Sequence, residues 1–227
     1  MITGLSADAG VDVARTFADL KSRLVVHTTD LSPEITELFA VLSQSAGEIR
    51  LYTSDISTAD SAAQFAQTSA QAYGGLDAVI NLTTISREEI NAISSDRDVE
   101  DLVSAKLSPL AQLTRVTANR MRLVFSEGLI LNVLKMPQPA TGREAAVAAI
   151  ARTALAAMTA AEARSWADAG IRVNAVGPRT STDFDSELGA CLTNEPDIAA
   201  LALYLASRRG RSMSGHVFDA EGAAGDI

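Results

Sequence analysis

Short apolar runs alternate with longer segments of helical spacing from one end of this chain to the other, and this alternation constrains the fold more than any single motif. The short runs are Leu24-Val25-Val26, Ile49-Arg50-Leu51-Tyr52, Ala78-Val79-Ile80, Leu129 to Val133, Ile171-Arg172-Val173-Asn174 and His216-Val217-Phe218. Between them lie helical patterns such as Val11 to Leu20, Ser61 to Tyr73, Val99 to Arg120, Ala145 to Ala167 and Ile198 to Leu205. Strands that are nearly all apolar, separated by helices, predict a parallel sheet covered on both faces. Right-handed crossovers then give an α/β, three-layer, doubly wound domain. No repeat, low-complexity tract or linker interrupts the pattern, so residues 1–227 read as one domain. The first strand is the exception: only Met1 and Ile2 precede Thr3-Gly4, where a central strand of about five residues is expected. Either this strand is unusually short or the start lies inside the natural reading frame.

Composition narrows the class. With 47% hydrophobic residues the chain has material for a core and does not read as disordered. No stretch approaches the roughly 20 uncharged apolar residues of a membrane span, and MITGLSADAG lacks the basic and apolar regions of a secretory signal. The expectation is a cytoplasmic globular domain without a membrane partner. A single cysteine, Cys191, cannot form an internal disulfide. His27 and His216 lie far apart with no ligand-spaced acids, so no metal is expected. The net charge of −9 argues against nucleic acid as a partner.

The order of short motifs resembles the short-chain dehydrogenase/reductase family over almost the whole chain. Thr3-Gly4 with Gly10 is similar to that family's T-G-x-x-x-G-x-G turn, and Asp55-Ile56 stands where its adenine-side Asp falls. Leu76 to Asn81 resembles the run into N-N-A-G, and Gly170 to Val176 the G-I-R-V-N-x-V strand, followed by Pro178. Pro196-Asp197-Ile198-Ala199, Leu205-Ala206-Ser207 and Ser214-Gly215 with Glu221-Gly222 match its C-terminal pattern. The resemblance implies a Rossmann-like fold, NAD or NADP as cofactor, and hydride transfer by an Asn-Ser-Tyr-Lys set. In that set Tyr is the acid, since a phenol needs a neighbouring cation to act near neutrality.

Carried onto this sequence, all four positions are changed. The Lys falls on Arg152, the Tyr on Ala148, the Ser on Lys135 and the Asn near Lys106. None of Tyr52, Tyr73 or Tyr204 has Lys four residues later. The middle glycine of the turn is Asp8, whose carboxylate opposes a pyrophosphate and suits the positive end of the following helix, as a cap or first-turn anion. Asp8 reads as a built-in substitute for phosphate, or as an exposed loop residue that can swing aside. Gly4, Gly10, Asp55, Ile56 and Asn81 remain as cofactor candidates. Thr28 replaces the NAD-specific acid, Asp30 is a candidate to reach the ribose, and Thr84 replaces a glycine of N-N-A-G. Only Asp183 to Asn194 is available for a substrate lid, too short for two helices.

Two readings follow. In the first the chain is a non-catalytic member without a cofactor, persisting as a structural, regulatory or heteromeric subunit. It forms a homo-oligomer (dimer or tetramer) or pairs with an intact relative, and the alanine-rich helix 152–167 permits close approach. In the second it is an atypical NAD(P)-dependent oxidoreductase or an enzyme for anionic ligands. Lys106, Lys135 and Arg152 then converge on one cleft, unless they pair with acids such as Glu144 and Asp8. The run Arg208-Arg209-Gly210-Arg211 reads as a solvated loop, and Trp166 as a core or interface anchor.

Overall fold

The structure is a computed structural model that describes residues 1–180 and 194–218. Cys191, Glu221-Gly222 and the lid segment before Asn194 lie outside the described residues. Seven strands form one sheet: β1 (Ile2–Thr3), β2 (Arg23–His27), β3 (Glu48–Tyr52), β4 (Ala78–Thr84), β5 (Leu129–Lys135), β6 (Arg172–Val176) and β7 (Val217–Phe218). Their order is β3-β2-β1-β4-β5-β6-β7, and every pairing is parallel. The winding reverses between β1 and β4, which puts the crevice of an open α/β sheet at the C-terminal ends of those strands.

Among the described residues seven α-helices cover the sheet: α1 (Val11–Asp19), α2 (Pro33–Ser45), α3 (Ala59–Tyr73), α4 (Arg87–Ala92), α5 (Asp96–Leu123), α6 (Gly142–Trp166) and α7 (Glu195–Ala206). The period of two along each strand feeds both faces. Leu24 and Val26 join Leu129 and Leu131 in a core under α1, α2 and α7, with Phe17, Leu38, Leu42, Ile198 and Leu205. Val25, Val79, Ile130 and Val173 point the other way, against Phe65 of α3 and Leu113 and Met121 of α5. Strands apolar on both faces are what a parallel sheet between two helical layers requires.

The expected elements are present, with strands β4 and β5 running on to Thr84 and Lys135, which pair in register. Helices α2 and α4 are additions to the segments singled out from the sequence. The first strand is two residues long and pairs with both β2 and β4. By length and composition α6 and its extension to Ala169 are apolar enough to cross a membrane, with a mean hydropathy of 1.3, contrary to the expectation that no stretch comes close. Alanine supplies that value. In the fold this helix lays Val147, Ala148, Ala151 and Leu155 into the core. It also carries the buried Glu162, which accepts from Arg115 Nε at 2.6 Å and from Trp166 Nε1 at 3.0 Å. Trp166 is thereby tied to its own helix and to α5 by one carboxylate.

Candidate functional site

The turn from β1 into α1 is shaped by two glycines packed on one residue of β4. Gly4 has φ +73°, and a Cβ there would lie 2.1 Å from the carbonyl oxygen of Leu82. Gly10, with φ +87°, caps α1 without a side-chain hydrogen bond, and its Cβ would meet Leu82 Cδ1 at 2.5 Å. Amides of such a turn, at a helix N-terminus, form an anion site when they are free.

Five of these amides, those of Leu5, Ser6, Ala7, Ala9 and Gly10, are taken here. Leu5 N–H donates to the His27 carbonyl at 3.2 Å, and Ser6 and Ala9 bond each other through main-chain groups at 3.0 and 3.3 Å. Ala7 N–H donates to Asp30 Oδ2 at 3.1 Å. Gly10 N–H donates to Glu195 Oε2 at 2.8 Å, across 185 positions of sequence. Two of the turn's donors therefore already hold carboxylates supplied by the chain itself.

Asp30 is locked in this role. It also accepts from the Ser32 amide at 2.9 Å, and these amide bonds, Ser32 first and then Ala7, hold its carboxyl below the usual carboxylate range. Thr28, fully buried, donates to the Leu5 carbonyl at 2.6 Å and accepts from the Asp30 amide at 2.9 Å. The residue expected to reach a ribose is thus occupied in bracing the turn.

Glu195 arrives from the far side. Asn194 caps α7 by accepting from the Asp197 amide at 2.9 Å, and Pro196 sets the first turn, which aims Glu195 at α1. Its other oxygen, Oε1, receives Lys135 Nζ at 3.0 Å, with the Glu195 and Lys135 side chains only 16% and 27% exposed. Lys135 Nζ also donates to the main-chain carbonyl of Asp8. The cap role expected of Asp8 is corrected: its side chain is exposed, Gly10 is the cap residue, and the anion at this helix end is Glu195.

The four family positions are placed as follows. Lys135 ends β5, and Lys106 on α5 pairs with Glu89 Oε1 of α4 at 2.7 Å. The two lysines end on different acids, not on one shared ligand site. Nor are their acids those expected, since Glu144 pairs with Arg87 Nε at 3.2 Å and accepts from the Ala140 amide at 2.6 Å. Ala148 is fully buried among Leu134, Met136, Val147 and Leu155. Arg152, one turn on, packs its stem against the Gly177 turn. Between the ends of β5 and β6, a cavity lined by residues such as Lys135, Met136, Gly177, Pro178 and Ile198 has only about 10 Å³, room for one water. All three tyrosines stand elsewhere: Tyr52 on β3 against Phe65, Tyr73 on Leu24's carbonyl, and Tyr204 exposed on α7.

The adenine-side candidates keep structural roles. Asp55 closes an Asx turn by accepting from the Ser57 amide and hydroxyl, both at 2.8 Å, and Ile56 packs at the rim of the core. Asn81 is buried and accepts from Thr3 Oγ1 at 2.9 Å. His27, at the end of β2, is buried beside Phe65 with Nε2 2.8 Å from the Ser54 carbonyl. Burial pushes its pKa down, against the opposing pull of Ser54 and Asp55. The unfolded chain, whose His titrates near about 6.5, then binds more protons than the folded one. Stability is expected to fall as pH drops through about 6.5 and to stop falling through this group below its folded pKa. Urea midpoints across that range test this. His27→Gln should flatten the slope, and parallel slopes for both proteins would refute the assignment.

A parallel seven-stranded sheet that reverses direction beside a glycine turn defines a doubly wound, dinucleotide-type domain. The short chain dehydrogenase family model matches residues 1–190, and the chain belongs to that family. It is 25% identical, over 98% of its length and 94% of the relative's, to an uncharacterized oxidoreductase of Mycobacterium bovis. It is 23% identical to 3beta-hydroxysteroid dehydrogenase 2 of Eggerthella lenta, over 98% and 92% of the two chains. Among solved structures it is similar to a short chain dehydrogenase from Mycobacterium avium, with TM-score 0.73 and 22% identity, covering 98% of this chain and 82% of that one.

Proposed function

We propose that this chain is a short-chain dehydrogenase fold kept without the family's hydride-transfer chemistry, serving as a structural, regulatory or heteromeric subunit. The observation that carries this reading is the buried Ala148 at the acid's position, with no tyrosine near it. Proton donation to a carbonyl needs a titratable group within hydrogen-bond reach of it. The dinucleotide that the family binds also does not fit these residues, because its pyrophosphate would meet Ala7 and Gly10 amides already held by Asp30 and Glu195. Lys135, one of the cations of the oxidoreductase alternative, is committed to Glu195 and to the Asp8 carbonyl.

The surface supports a partner role. Ile150, 48% exposed, lines with Val103, Leu107, Ala154 and Met158 an apolar hollow of about 400 Å³ on α5 and α6. Such a face suits a self-complementary dimer or an intact relative.

The test is turnover. The purified protein, supplied with NADH or NADPH and a panel of ketones and aldehydes, is expected to consume neither cofactor above the rate without protein. Enzyme-dependent, saturable oxidation of either cofactor with carbonyl reduction would overturn the reading.

A further inference from the structure

We infer that Glu195 is an intramolecular occupant of the phosphate subsite of this fold, a carboxylate the chain carries in place of the nucleotide's charge. The inference deepens the reading above, since it names what fills the site whose chemistry is lost. A pyrophosphate at the end of α1 would need the Gly10 amide and a nearby cation. Glu195 takes both, Gly10 N–H at 2.8 Å through Oε2 and Lys135 Nζ at 3.0 Å through Oε1.

The arrangement accounts for an otherwise odd pair of residues. A lysine at the end of β5 would leave an uncompensated charge in a site that is three-quarters buried, and Glu195 neutralises it. The positive end of α1 meets an anion that brings no loss of translational freedom, because it is part of the same chain. Asp30 does the same for the Ala7 amide. Any incoming phosphate must displace a hydrogen-bonded carboxylate and then sit beside it, so like-charge repulsion is added to the lost contacts.

Removal of the carboxylate is therefore expected to create an anion site. Inorganic pyrophosphate, which probes the subsite without the adenosine and nicotinamide contacts, should leave the melting temperature of the wild-type protein unchanged. Glu195→Ala should rise by about 5–10 °C at an excess of about 100 Kd. Glu195→Ala combined with Lys135→Ala should lose that response, since the cation is then gone. NADPH is run alongside: Glu195→Ala binding it without carbonyl turnover leaves the proposed function standing while supporting the latch. A wild-type protein that responds to pyrophosphate as the variant does, or a silent Glu195→Ala, overturns the latch. Should Glu195→Ala fail to fold, amide hydrogen exchange of the wild-type protein decides. Slow exchange at Gly10 supports the contact, and exchange at the rate of an open loop overturns it.

Discussion

Gly4→Ala is expected to lose at least about 3 kcal/mol of stability, a large share of the roughly 5–15 kcal/mol available to a domain. Two costs add. A residue with a Cβ at φ +73° pays about 1–2 kcal/mol for the left-handed region. The new Cβ then lies 2.1 Å from Leu82 O, a main-chain atom of β4, which is paired on both sides by β1 and β5. That strand cannot yield without disturbing both ladders, so relaxation is confined to the turn itself. Gly142→Ala is the control, because it lies at the first residue of α6 with open space around its Cβ position, and there alanine should be neutral or slightly stabilising. Equilibrium urea unfolding of the two variants makes the comparison. A Gly4→Ala protein within about 0.5 kcal/mol of wild type would show that the turn does not depend on this contact. The prediction bears on function, since Gly4 is required by packing on β4 whether or not a nucleotide ever binds. Retention of the glycine is therefore no sign that the cofactor is retained.

The sheet was legible because its strands are apolar on both faces. Leu24-Val25-Val26 and Leu129-Ile130-Leu131 send alternate residues to opposite cores, as a parallel sheet covered on both faces requires. Helix α2 was less visible: it commits only Ile35, Leu38 and Leu42 to the core, a narrow stripe, although Ser32-Pro33-Glu34 carries a readable cap and first turn. The positions that the resemblance assigns to the catalytic set are a matter of residue type at a fixed spacing, which a sequence displays directly. The occupant of the phosphate turn is not. Asp8 stood next to the helix in sequence and drew the role that Glu195 holds from 185 positions away. Sequence proximity favours the local carboxylate, while the fold brings the first turn of α7 against the first turn of α1. Asn194 caps α7 with Glu195 and Asp197 in its first turn, but nothing in that local pattern gives the direction in which the acids point. Asp30, a candidate for the ribose by its sequence position, instead accepts from the Ala7 and Ser32 amides.

Asn132→Leu is expected to cost about 2–5 kcal/mol while leaving the fold's apolar layers intact. Asn132 sits opposite Asn81 in the β4–β5 ladder, and its Oδ1 accepts from Asn81 Nδ2 at 2.9 Å. Its Nδ2 donates to Thr114 Oγ1 of α5 at 2.9 Å, and that hydroxyl returns a bond to Oδ1 at 3.2 Å. Through Asn81 the chain of bonds continues to Thr3 Oγ1 at 2.9 Å, so β1, β4, β5 and α5 share one polar line in which every member is at most 2% exposed. Leucine fills the space but strands the Asn81 amide and the Thr114 hydroxyl, each costing about 1–3 kcal/mol when buried without a partner. Thr114→Val alone should cost less, and in the double variant the two effects should fall short of their sum, because Asn132→Leu has already removed the partner. Strict additivity in a double-mutant cycle, measured by urea unfolding, would show that the line is not a network. The contrast with the catalytic positions carries the argument. Where the family's chemistry was, this chain has Ala148 and a lysine paired to its own glutamate; beneath it, the polar line that joins the strands is complete. A complete line of supporting hydrogen bonds beneath these positions fits the proposed role, a fold kept without the family's hydride transfer.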